Sequence, residues 1–120
     1  MGMLTKETIL KADDLKREQV EVPEWGGHVF VRTMTGLERD RFEQFILDSR
    51  SSDQKTNLQN VRARLCSLTM CDEAGKRLFS DDAEMLALGQ KSAAALDRVF
   101  SVAQKLNHIG KQDVEELAKN

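Results

Sequence analysis

The feature that most restricts this fold is a change of hydrophobic period along the chain. Over residues 18–23 apolar side chains alternate with polar ones, a second β-branched run follows at 28–32, and from residue 36 onward apolar side chains recur every three or four positions. A strand sends alternate side chains to one face, whereas a helix brings together positions three and four apart. A β segment therefore comes first and helices follow. Val20 and Val22 share one side of the first run, among Glu18, Gln19 and Glu21. Val29, Phe30 and Val31 form the second run, after Pro23-Glu24-Trp25-Gly26-Gly27. Pro23 cannot donate to a ladder and marks a strand end, and Gly26-Gly27 can supply the positive φ of a turn. The two runs and their connection predict a β-hairpin over residues 19–33.

Thr35-Gly36-Leu37-Glu38 spells a capping box, in which the Thr hydroxyl and the Glu carboxylate each accept from the other residue's amide. It opens a helix expected over residues 36–49. Phe42, Phe45 and Ile46 fall within about 100° of arc on it, while Leu37 and Leu47 fall outside. A polar stretch, Ser49–Asn57, reads as a mobile loop. The next helix is expected over 57–71, where Leu58, Val61, Leu65 and Leu68 make one stripe flanked by Arg62 and Arg64. A turn at 72–76 has Gly75 as its positive-φ candidate. Asp81 with Glu84 caps a short helix over 82–88, which carries Met85, Leu86 and Leu88, and Gly89 serves as its C′ residue. The longest stripe, Leu96, Val99, Phe100, Ala103 and Leu106, predicts a helix over 91–107. Gly110 stops it, and residues 111–119 read as a last short helix. Residues 5–13 read as a brief helix or turn. The fold class is mainly α with a small N-terminal β-hairpin, in one compact α+β domain covering residues 1–120. Leu65, Leu96 and Phe100 are expected in its core.

Composition narrows function by exclusion. Eighteen Lys and Arg against twenty Asp and Glu leave a net charge of −2. That disfavours nucleic acid, whose binding rests on an excess of cations. No apolar run approaches the roughly 20 residues of a membrane span. The start carries no secretory h-region. Met3 offers a second start, with Met1-Gly2 then a cloning remnant. Lys6 stands where N-myristoylation requires Ser or Thr. Cys66 and Cys71 lie about 140° apart on a continuous helix, so no disulfide is expected and the thiols read as reduced and part-buried. His28 and His108 stand in no zinc-binding spacing, and no metal or other cofactor is expected. No catalytic constellation is found. The pairs Asp13-Asp14, Asp72-Glu73, Asp81-Asp82 and Glu115-Glu116 read as solvated turns and helix faces. No Ser lies in a nucleophile context and no Gly-rich loop precedes a helix.

What remains is protein contact. Trp25, the sole tryptophan, is either a lid over the core or an exposed anchor for a partner. The 36–49 helix is apolar on more than one side, so part of Leu37, Phe42, Phe45 and Leu47 stays available to a partner even though the Phe42 face reads as core. Trp25, Leu37, Phe42, Phe45 and Leu47 are the partner-binding candidates.

The order and spacing of these segments resemble the tail assembly chaperones of long-tailed bacteriophages. The residues that carry the likeness are Ile9–Asp14, Val20–Gly27, Val29–Arg32, Thr35–Asp40, Phe42-Glu43, Val61–Leu65, Cys71–Phe79 and Lys91–Asp97. It spans residues 4–120. The resemblance implies a non-enzymatic protein of the host cell cytoplasm, absent from the mature virion. It implies binding to the tape measure protein and help for the major tail (tube) protein to polymerise around it, with self-association. It also implies a longer product made by programmed frameshifting. Ala118-Lys119-Asn120 is compatible with GCA-AAA-AAC, which contains the slippery heptamer A-AAA-AAC. The alternatives are another small helical protein-interaction module, or an acidic DNA-binding regulator using Arg39, Arg41, Arg62 and Arg64.

Overall fold

The computed structural model describes residues 2–48 and 60–109. The hairpin forms from β1 (Arg17–Val22) and β2 (Gly27–Arg32), antiparallel, with Arg17 opposite Arg32 and Val22 opposite Gly27. Between them Pro23–Trp25 makes one 3-10 turn, closed by Gly26 at φ 76°. Gly26, and not Gly27, takes the left-handed conformation expected of the glycine pair. Ahead of the hairpin, α1 (Lys6–Lys11) is capped by the Thr5 hydroxyl, which accepts from the Thr8 amide.

α2 (Gly36–Asp48) begins at the expected capping box. The Glu38 amide donates to Thr35 Oγ1 at 3.1 Å, and the Thr35 amide donates to Glu38 Oε1 at 2.9 Å. α3 (Val61–Thr69) is shorter than the 57–71 expected. Leu58 lies outside the described residues, and Met70–Cys71 is a strand, β3, paired antiparallel to β2. The apolar stripe ran on smoothly, so period alone extended the helix. The backbone turns extended at Met70, whose amide still donates to Cys66 O while its carbonyl accepts from the Leu78 amide at 3.1 Å. Met70 and Cys71 come into register with Val31 and Phe30 of β2, and such tertiary pairing overrides local preference. Among the described residues the sheet thus has three strands, in the order β1-β2-β3, and not a lone hairpin.

α4 (Asp82–Leu88) and α5 (Ala93–Leu106) start at Asp81 and Ser92, whose side chains accept from the Glu84 and Ala95 amides. Gly89 follows α4 but holds a right-handed φ of −62°, so it is not a left-handed cap. Space explains the glycine: an added Cβ would lie 3.3 Å from Asn60 Oδ1 and 3.4 Å from the Ala63 Cβ. Gly75, by contrast, turns the chain at φ 88° as expected. The expected loop 49–57, the stop at Gly110 and the helix 111–119 lie outside the described residues.

α5 lies across β1 and β2 and against α3, and α3 also touches α2 and α4. Val22, Val31, Phe42, Ile46, Leu65, Met70 and Val99 are completely or almost completely buried between these layers. Leu96 is in the core as expected, but Phe100 and Leu106 only pack partly buried along its edge. Cys66 and Cys71 are free and deeply buried, more so than the half-hidden thiols expected. Burial, then the nearby Asp97 carboxylate, pushes the Cys66 thiol up from 9.0 to about 12. The folded state therefore favours the neutral thiol. Its contribution to stability is complete below the ordinary thiol pKa and is lost as pH rises through about 12. At pH 8 a thiol reagent is expected to modify Cys66 only as fast as the protein unfolds; instant labelling of native protein would contradict this burial.

α5 ends in a left-handed residue that is not glycine. His108 sits at φ 55°, its amide donating to Lys105 O, and the Ile109 amide donates to Gln104 O at 2.8 Å. This is a Schellman motif, sealed by the buried Ile109 side chain. Just before it, the buried Asn107 joins three elements. Its Oδ1 accepts from the Met34 amide at 2.7 Å, and its Nδ2 donates to Ala103 O at 2.9 Å and Arg32 O at 3.4 Å. Asn107→Ala leaves the Met34 amide unpaired and opens a gap between β2 and α5. A loss of about 2–3 kcal/mol is expected in urea unfolding. A loss below half of that would mean water replaces the side chain.

Candidate protein-contact surface

The sequence candidates divide sharply by depth. Phe42 is wholly buried with Ile46, so it belongs to the core and offers nothing to a partner in this arrangement. The helical arc explains why: Glu38, Phe42 and Ile46 succeed one another at four-residue spacing along the face of α2 that meets the other layers. Phe45 lies beside that row, partly buried against the core, and the Arg64 guanidinium covers its ring at 4.8 Å. Trp25 packs partly buried on the core, as a lid would. The turn that carries it is tied to α5 by Glu24, which accepts twice from Arg98 Nε, at 2.8 and 3.1 Å. Leu37 and Leu47 are exposed, at 60% and 37%. Ten residues of helix separate them by about 15 Å, so they form two footholds and not one patch.

Among the described residues, exposed large apolar side chains are most concentrated at the N-terminal arm. Met3, Leu4, Ile9 and Leu10 are all exposed, Leu10 at 77%, and α1 buries no residue. A six-residue helix is far below the length at which an isolated helix holds itself in water. An arm of this kind gains stability when its leucine and isoleucine face is covered. Ile9 and Leu10 are not among the contact candidates drawn from the sequence, since so short a segment shows no periodic stripe. Leu78 and Leu86 add exposed apolar side chains near the α3–α4 side.

The arginines of the DNA-binding alternative are largely spoken for. Arg39 pairs with Glu43 at 3.0 Å and donates to Asn107 O, and Arg62 pairs with Asp97 at 2.6 Å. Arg64 pairs with Asp82 at 2.8 Å while lying on Phe45. Only Arg41 of the four has no ion pair among the described residues. Among those residues no three His, Cys, Asp or Glu side chains gather as a metal site, and no helix is long and apolar enough to cross a membrane.

A family model described as phage tail assembly chaperone matches residues 5–120. Among solved structures, the chain is similar to the bacteriophage HK97 tail assembly chaperone. The TM-score is 0.60 at 22% identity, over 83% of this chain and 94% of that one. At this identity the likeness shows a shared fold. No curated protein matches the sequence.

Proposed function

The chain belongs to the phage tail assembly chaperone family, and we propose that it binds the tape measure protein, keeps it soluble and promotes assembly of the tail tube around it. The observation that carries this reading is apolar surface left open on a well-capped, well-packed body. Leu4, Ile9 and Leu10 on the arm and Leu37 and Leu47 on α2 stand among charged neighbours. A long helical client with apolar stretches is shielded by such footholds, with no chemistry required. The protein acts without catalysis and without a cofactor, in the host cell cytoplasm, and is absent from the finished virion.

Several copies act along one client, and α1 supplies a contact by which copies self-associate. The major tail (tube) protein is engaged by a longer product, made when ribosomes slip near Ala118-Lys119-Asn120. The coding DNA tests this part: an A-AAA-AAC heptamer followed by an open −1 frame is expected, and its absence ends the frameshift proposal. The chaperone reading itself is tested by co-expression with the neighbouring long helical open reading frame. Soluble co-purification of both products is expected; an insoluble long product, unchanged by this chain, would refute the reading.

A further inference from the structure

One strong concentration of positive charge lies beside the Leu37 foothold of α2. Arg32 Nη2 donates to Glu38 Oε2 at 2.8 Å, and Arg77 Nη1 stands 3.7 Å from the same oxygen. Arg77 also donates from Nε to Ser67 O at 3.0 Å, which holds its guanidinium over the end of α3. Burial chiefly lowers the Arg77 pKa; Glu38 opposes this, while Arg32, Arg41 and Arg64 lower it further by repulsion. Arg17 reaches the same side: its Nη1 lies 2.9 Å from where a Gly75 Cβ would stand, two residues before Arg77.

Among the described residues the compensating acids are largely engaged elsewhere. Glu84, whose pKa is lowered chiefly by its hydrogen bonds with Ser80 and in small part by Arg77, accepts through Oε1 from the Ser80 amide and hydroxyl. Glu38 is shared by two guanidinia, and Asp82 is taken by Arg64. Asp72 is occupied by the turn, its Oδ1 accepting from the Ala74 and Lys76 amides. Arg17 and Arg41 have no ion pair among the described residues, and Arg32 Nε is buried with no hydrogen-bond partner. This excess is local, for the whole chain carries −2. Arg41 is exposed, one helical turn after the exposed Leu37 and one before Phe45, on which Arg64 lies.

We propose that Leu37, Arg41, Arg64 and Arg77 form a docking surface for an acidic segment of a partner protein, its carboxylates pairing with Arg41 and Arg77 and an apolar side chain resting on Leu37. Guanidinium forks match carboxylates in bidentate geometry, and a partner carboxylate supplies the counter-charge that Glu38 alone divides between two cations. A nucleic acid fits less well, because its continuous backbone charge would run from this patch onto a net-negative surface. The inference rests on the chaperone reading for the partner being a protein, and adds the chemistry of the segment that is bound.

The test uses a fluorescein-labelled synthetic peptide of repeating Glu-Glu-Leu, titrated with the full chain and followed by anisotropy. Arg41→Glu is expected to weaken binding roughly tenfold or more, with the melting temperature kept. Lys91→Glu makes the same change in net charge at another exposed site and is expected to leave binding alone. The Gln-Gln-Leu counterpart should not bind. If Arg41→Glu melts early, Arg41→Gln replaces it, with the same expected ranking of variants. Equal weakening by Lys91→Glu, equal binding of the Gln peptide, tighter binding of a single-stranded oligonucleotide, or no peptide binding would each overturn the proposal. Client solubilisation by the parent chain is scored separately. If it succeeds while the peptide result fails, the patch is misassigned and the chaperone reading stands; if it fails, that reading falls by itself.

Discussion

Glu38→Ala is expected to cost about 3–5 kcal/mol, among the largest losses any single substitution can produce here. One oxygen of this carboxylate closes the capping box of α2, and the other faces two guanidinia. Alanine removes the cap, worth about 1 kcal/mol. It also strands Arg32, which is nearly fully buried, without a counter-charge. The second effect is the larger, because an unpaired buried cation loses its hydration with nothing in return. Glu38→Gln separates the two. A Gln still serves a capping box, so it should recover the cap and remain severely destabilised. Pairing Glu38→Leu with Arg32→Met should restore much of the loss, since apolar side chains replace a buried ion pair at little net cost. Chemical denaturation of the three variants checks the order. If Glu38→Gln unfolds like the parent, the charge pair contributes little and the cap is what matters.

Phe42→Ala is expected to cost about 3–5 kcal/mol as well, by a different route. The ring is completely buried with Ile46, where α2 closes on the rest of the core. Truncation removes apolar contact and leaves a cavity that the flanking helices cannot fill without moving. A fall in melting temperature on the order of 10 °C or more follows for a domain of this size. Leu37→Ala, five residues earlier on the same helix, should shift stability by no more than about 0.5 kcal/mol. Equal losses at the two positions would mean that α2 is rotated from the orientation described.

The contrast between these two residues shows what a sequence of this kind can reveal. Short-range rules worked wherever the partners are close in sequence. The Thr35–Glu38 box, the Asp81 cap, the Gly75 turn and the strand pairing across Pro23–Gly27 were all legible. The arc on α2 correctly left Leu37 and Leu47 outside, but it also kept Phe42 among the contact candidates although its spacing put it on the inner face. Long-range interactions left no local signal. Glu38 looked like a cap and nothing more, because Arg32 belongs to the strand before it, at no helical spacing, and Arg77 lies far along the chain. Asn107 looked like an ordinary helix end, because the Met34 amide it receives is 73 positions away. β3 was hidden because Met70 and Cys71 continue a helical stripe and become a strand only against β2. The open arm was missed for the opposite reason: its importance lies in what Ile9 and Leu10 do not touch.

That open apolar surface is the centre of the functional account, and paired surface variants test it most directly. Ile9→Asp with Leu10→Asp on the arm, and Leu37→Asp with Leu47→Asp on α2, are each co-expressed with the tape measure protein. Soluble client recovered with each variant is compared with the parent, alongside each variant's melting temperature. The account predicts that at least the arm variant keeps the parent's melting temperature within a few degrees and loses most of the soluble client. Full recovery of soluble client by both folded variants would contradict it.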